Sequence, residues 1–156
     1  MKTAGRRALK FASLGEVMPD VDRLMEGHAR VGRWSLAQVC NHLNWGFLAS
    51  IEGIPSARGL WFVRNTIGPM ILRHTLKTDA MPEGFKIPTG GAPKPGLDDR
   101  AEVEALRAAV QVFRGYTGAF PDSPIFGPVS REDVEHMQRI HCAHHLSFLS
   151  PTSIQG

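Results

Sequence analysis

The sequence predicts an all-α fold: a single domain over residues 1–156, built as a four-helix bundle with one extra, broken helical segment and long Pro/Gly-rich loops. Three observations carry this. Apolar residues recur three and four apart in four separate stretches, the period of one buried helix face. Each stretch opens near a Ser or Asp that can accept from a free backbone N–H, and each closes near Gly or Pro. No convincing pair of alternating apolar stretches is present to signal paired strands.

Residues 3–12 read as an ordered lead-in, with Leu9 and Phe11 alternating against polar neighbours. The first helix begins at Ser13, with Glu16 as a capping-box partner, or at Pro19 with the proline in its first turn. Val17, Val21, Leu24 and Met25 form its stripe, and it ends between Gly27 and Gly32. The second opens at Trp34-Ser35, with Ser35 as cap and Gln38 three residues on. Leu36, Val39, Leu43, Phe47 and Ile51 follow, while Gln38, His42 and Trp45 share a second stripe. Residues 58–78 are apolar, with Leu60, Trp61, Phe62, Val63 and Ile67 among them, and Pro69 should kink or split them. They suit core packing, or a dimer interface if exposed. Residues 81–96, with four prolines, form a long loop that could act as a lid. Asp98 or Asp99 caps a helix over residues 102–114, striped by Leu106, Val110 and Phe113. A second proline-rich connection follows over residues 119–129. Ser130 caps the last helix, with Asp133 standing where a capping box usually has Glu, and the helix runs to about Leu149 before Pro151.

Composition excludes some classes. Charged residues are 21% and the net charge is only +3, with no basic run or stripe, so nothing favours nucleic acid. No apolar run is long enough to span a bilayer, and Gly15, Glu16, Pro19 and Asp20 interrupt any export-signal core after Arg6-Arg7. A cytoplasmic protein without a membrane partner is expected. Cys40 and Cys142 fit a reducing compartment and form no CxxC pair.

Chemistry concentrates in His141-Cys142-Ala143-His144-His145. His141 and His145, four apart, share one helix face about one turn apart, as paired zinc ligands do. Such a pair alone arises in many helices. His42, mid-helix on another element, adds the third imidazole of an open three-ligand site. Zinc or nickel suits the set, and iron or manganese would also serve. His144 lies about 60° from His141 on the helical wheel, against about 40° for His145. His145 is therefore preferred as third ligand, and His144 is the candidate catalytic proton shuttle. Cys142 reads as a buried apolar thiol, although a nucleophilic pair with His145 is geometrically open. Cys142 also stands where a zinc protease needs glutamate, so that motif is absent. His28, His74 and His136 read as surface or helix-end residues.

The stretches from Trp34 to Leu43 and from His141 to His145 match the patterns W-S-x-x-x-x-x-x-H-L and H-x-x-H-H. In that order they resemble the DinB/YfiT-like superfamily, over most of the chain. Arg7-Ala8-Leu9-Lys10-Phe11 and Phe85-Lys86-Ile87-Pro88 resemble a branch of it without an assigned function. The resemblance implies a DinB-like four-helix bundle, often a homodimer, with a divalent metal ion on three histidines. By position these are His42, His141 and His145. Some relatives use the metal to activate a low-molecular-weight thiol such as mycothiol or bacillithiol, in isomerase or S-transferase chemistry; others are classed as hydrolases. Relatives often carry Gly-Gln starting two residues beyond the last histidine, where this chain has Ser147-Phe148.

The expected function is thus metal-dependent activation of water or a small thiol on a small-molecule substrate. Trp45, Phe148 and Trp61 are the candidate pocket walls. The rival is a non-catalytic dimeric bundle that binds a small molecule, with a structural or vestigial metal site.

Overall fold

The computed structural model describes residues 3–54, 61–84 and 90–152. Leu60 and the Phe85-Lys86-Ile87-Pro88 motif lie outside the described residues. The chain is mostly helical, with a small two-stranded sheet that the sequence did not announce.

Ser13 caps nothing. A 3-10 turn over Leu14–Glu16 leads into α1, Val17–Glu26, so Pro19 falls in its first turn. Glu16 turns back instead and accepts from the Ala12 N–H at 2.7 Å. α2, Leu36–Glu52, has the full expected capping box: Gln38 N donates to Ser35 Oγ and Ser35 N to Gln38 Oε1. The apolar segment splits into α3, Trp61–Asn65, and α4, Ile67–Thr78. The break falls at Thr66, three residues ahead of Pro69, which sits in the first turn of α4 where a missing N–H costs nothing. α5, Asp99–Gly115, starts earlier than residue 102, because Asp98 accepts from the Ala101 N–H at 2.8 Å. Its first residue also reaches α2: Asp99 Oδ1 accepts from the Ala37 N–H at 2.8 Å. α6, Arg131–Leu146, is capped by Ser130, but only half of a capping box forms among the described residues. Aspartate is one methylene short of the glutamate that reaches back.

α1, α2, α5 and α6 pack around one apolar core that includes Val21, Leu24, Leu43, Phe47, Leu106, Phe113 and Leu146. The Phe47 and Phe113 rings meet edge to face at 5.2 Å where α2 crosses α5. No described helix is long and apolar enough to cross a membrane.

The largest departure from expectation is at the end of α6. The helix stops at Leu146, and residues 149–151 form a strand, β2 (Leu149–Pro151). It pairs antiparallel with β1 (His28–Arg30), in register His28 with Pro151 and Arg30 with Leu149. Three-residue strands are too short for an alternation signal, and their partner lies on the far side of the sequence. The helix ends there because the lead-in takes its free carbonyls. Arg7 N donates to the Ser147 carbonyl at 2.9 Å, the Arg7 guanidinium to that of Leu146 at 3.0 Å, and the Arg6 guanidinium to that of His144 at 3.1 Å. Residues 3–11 are therefore a strap across the C-terminus of the helix that carries most of the candidate ligands.

Candidate metal centre

Where α2 meets α6 the interior turns polar. α2 presents His42, Gly46 and Ser50, each four residues apart; α6 presents Gln138, His141 and His145. Ligand atoms of His42, His141 and His145 all lie within 4.8 Å of one another. The three ring centroids are 4.5 to 4.9 Å apart. Among the described residues this is the one such cluster, so the third imidazole is that of His145 and not of His144.

The donor set fits a divalent ion. His42 Nδ1 is 2.7 Å from the Gly91 carbonyl, which can only accept. Nδ1 therefore carries the proton, and Nε2 turns a lone pair into the triad. That Nε2 is 3.0 Å from Nε2 of His141. Two imidazole donors on one tetrahedral ion, with bonds of about 2.0–2.1 Å, stand about 3.3 Å apart. The gap is thus the width of a chelate edge. Burial pushes all three imidazoles toward the neutral, ligating form. It lowers the pKa of His42, takes His141 down to about 3 with help from His42, and lowers His145 furthest, with His141 adding to the effect.

Gly46 makes room for this. A Cβ on it would stand 2.9 Å from His141 Cε1 and 3.1 Å from Nδ1. Glycine inside a helix costs about 1 kcal/mol against alanine, so its place here is explained by space. Gly46→Ala should leave the melting temperature of the metal-free protein within about 3 °C of wild type, helix propensity offsetting the displaced ring. It should weaken zinc binding at least tenfold, read by competition with a chromogenic chelator. Wild-type affinity in that variant would refute the fit between glycine and ligand.

Tryptophans flank the triad. Trp34 stacks on His145 at 5.2 Å and 14°, and also meets His42 at 5.0 Å. Trp45 stacks on His42 at 5.9 Å. Gly91, at φ +81°, lies so close over the Trp45 ring that a side chain there would overlap it. The described part of the long loop therefore rests on α2 through backbone, and Gln38 Nε2 also donates to the Lys94 carbonyl at 3.4 Å.

A family model described as "Protein of unknown function (DUF1569)" matches residues 3–152. The chain belongs to this family. No curated protein and no solved structure matches it. The DUF1569 match spans the strap, both tryptophans and all three histidines.

The remaining predicted residues fall less centrally in this DUF1569 chain. His144 touches His145 edge to face at 4.8 Å, but its own partners lie outward. Arg6 Nη2 donates to its Nδ1 at 3.0 Å. Burial and then Arg6 take its pKa down to about 4. With Nδ1 taken by Arg6, the geometry makes His144 a tie between strap and helix. Arg6 also donates to Ser147 Oγ at 2.5 Å and to Glu83 Oε1 at 2.9 Å. Its bonds, with those from Thr3, hold the Glu83 carboxyl down at about 2. Phe148 packs on His144 at 5.6 Å and under the Arg6 guanidinium at 4.4 Å, away from the triad. Trp61 is 73% exposed at the start of α3 and makes no ring contact with the triad. Both cysteines are buried and free. Burial takes the Cys40 thiol up to about 12 and raises Cys142 as well, which removes the Cys142–His145 nucleophile. His136 pairs with Asp79 at 2.9 Å. A separate cavity of about 250 Å³, beside Ser13, Phe113, Phe120 and Arg131, shares no lining residue with the triad.

Sequence reasoning missed Gly46, Gly91, Trp34, Arg6 and Gln138. A glycine inside a helix was a legible signal for Gly46. Trp34 stood in the motif itself. Gln138 stands one turn before His141, a spacing that was legible too, whereas Gly91 and Arg6 act across long separations that leave no local trace.

Proposed function

We propose that this is a metal-dependent enzyme in which His42, His141 and His145 hold a divalent ion, zinc or nickel first, with iron or manganese able to serve. The reaction class is hydrolysis or transfer of a small-molecule thiol onto a small substrate. The observation that carries this reading is the aim of His42: the Gly91 carbonyl holds its proton at Nδ1, so Nε2 faces two further neutral imidazoles. A divalent ion there would keep its full charge and acidify a water or a thiol. The chain's own residues do the rest. Gly91 fixes one ligand's tautomer, Gly46 seats a second, and Trp34 and Trp45 wall the flanks with apolar surface. The packing of α1, α2, α5 and α6 around one core supports a DinB-like four-helix bundle, and the exposed Trp61, Phe62, Ile67 and Met70 support a homodimer. A cytoplasmic location goes with this reading.

The test is elemental analysis of untagged wild type and His141→Ala, side by side. Wild type should carry about one equivalent of zinc, nickel, iron or manganese, and the variant close to none. A retained melting temperature in the variant supports catalysis; a sharp fall supports the non-catalytic bundle with a structural clip. No metal in wild type after reconstitution at neutral pH would overturn the proposal.

A further inference from the structure

We propose that Gln138 is a positioning residue for His141: its side-chain oxygen is the acceptor that receives the Nδ1 proton of His141 when Nε2 takes up the metal. The inference rests on the metal reading above and adds how the second ligand is set.

Gln138 lies one turn before His141 on the same face of α6 and is only 7% exposed. The orientation of its carboxamide follows from its neighbours. Ser50 Oγ donates its one proton to the Gly46 carbonyl at 2.9 Å, so toward Gln138 it can only accept. The Gly46 carbonyl can only accept as well. Gln138 Nε2 meets both, at 2.6 and 3.2 Å, so the nitrogen is on that side and Oε1 is on the other. There Oε1 is buried without a partner among the described residues. An orphaned buried acceptor costs about 1–3 kcal/mol and needs an explanation.

The explanation lies beside Gly46. The point where a Cβ of residue 46 would sit is 3.8 Å from Gln138 Oε1 and 3.1 Å from His141 Nδ1. The orphaned acceptor and the ring nitrogen border the same small gap, left open because residue 46 is glycine. His141 Nδ1 has no hydrogen-bond partner among the described residues, its one ring contact being through Nε2. In the metal-free protein His42 Nε2 is a lone pair, so the 3.0 Å contact needs the His141 proton on Nε2. A neutral imidazole carries one ring proton. A metal on Nε2 therefore moves it to Nδ1, where a donor then needs an acceptor. Gln138 Oε1 is the acceptor held ready for that tautomer. His42 takes its acceptor from a loop backbone and His141 from a side chain, so only the second can be altered by substitution.

The experiment uses the full chain, wild type, Gln138→Met and Gln138→Glu, with zinc as the probe. Zinc affinity is measured by chelator competition, and the His141 ring protons by long-range proton–nitrogen NMR with and without zinc. Wild type should carry its His141 proton on Nε2 without zinc and on a slowly exchanging Nδ1 with it. Gln138→Met should bind zinc about tenfold to a hundredfold more weakly, with a fast-exchanging Nδ1 proton. Gln138→Glu, which keeps an acceptor, should recover most of the affinity and the slow exchange. A purely structural glutamine would change the melting temperature and leave ring-proton exchange alone. Zinc bound equally by wild type and Gln138→Met, or a fast-exchanging Nδ1 proton in zinc-loaded wild type, overturns the role of Gln138 alone. No zinc in wild type overturns the metal reading and this role together.

Discussion

Arg7→Ala should cost about 3–5 kcal/mol of stability, the largest effect expected of any single substitution in the strap. Asp20 is fully buried in α1, and Arg7 grips it with two parallel bonds, Nη1 to Oδ1 at 2.9 Å and Nη2 to Oδ2 at 2.8 Å. Arg23 adds a third bond at 3.1 Å from a largely exposed side chain. Removing Arg7 leaves a buried carboxylate with only that weaker partner, and breaking a buried pair costs more than the pair contributes. It also frees the Leu146 carbonyl at the end of α6, one residue beyond His145. At this chain length the melting temperature should fall by roughly 6–20 °C. Zinc affinity should fall with it, because the strap holds the turn of helix that carries His145. Arg7→Lys can keep the charge but not the parallel pair, so it should recover only part of the loss. Replacing both partners, Arg7→Met with Asp20→Leu, should be milder than Arg7→Ala alone, since no charge is left buried and unpaired. Denaturant unfolding of the four proteins checks the series. A loss below about 1 kcal/mol in Arg7→Ala would mean that the pair is solvated and the strap holds by its backbone bonds.

The strap also explains what the sequence could and could not disclose. Helix starts were legible at Ser35 and Ser130 because a cap and its partner lie three residues apart. The triad was legible in part for the same local reason, with His141 and His145 one turn apart; His42, mid-helix on another element, joined them as a third imidazole, and the family resemblance picked the same three residues. Helix ends depended on distant groups. Residues 147–149 have nothing in their own sequence that stops a helix, and Arg6 and Arg7 end it from the other terminus. That one error displaced Phe148. On a continuing helix it stands three residues from His145 on the ligand face, whereas the actual turn sends it to Arg6 and His144. The two strands were lost for a kindred reason, since β1 and β2 recognise each other through backbone bonds that carry no side-chain signature. The tuning of the site was hidden too. Gly91 reaches His42 across 49 residues, and its contribution is a carbonyl that every residue has.

Acid should unfold the metal-free protein well before its carboxylates titrate. In the unfolded chain a histidine takes up its proton near pH 6.5. In the fold, burial holds His42, His141, His144 and His145 neutral to lower pH, His144 to about 4 and His141 to about 3. Between those limits the unfolded state binds more protons, so stability falls as pH falls, starting at about 6.5. Each histidine that stays neutral adds a slope of about 1.4 kcal/mol per pH unit. By pH 5 that is roughly 2 kcal/mol per residue, and the three most strongly shifted, His141, His144 and His145, together reach the lower end of the 5–15 kcal/mol that holds a typical domain together. The carboxylates act with the same sign but later. Glu83 and Asp79 are held below their ordinary values by Arg6 and His136, so they cost stability only as pH drops below about 4. Chelator-treated protein should therefore lose most of its stability between pH 6.5 and 4.5, in urea unfolding at half-unit steps. His145→Gln removes one titrating ring while keeping a polar side chain, and should flatten the slope by about 1.4 kcal/mol per unit. A stability that stays level from pH 7.5 to 5, or a slope unchanged in His145→Gln, would show that these imidazoles take up protons inside the fold. Neutral ligands poised for a metal would then be the wrong description of the triad.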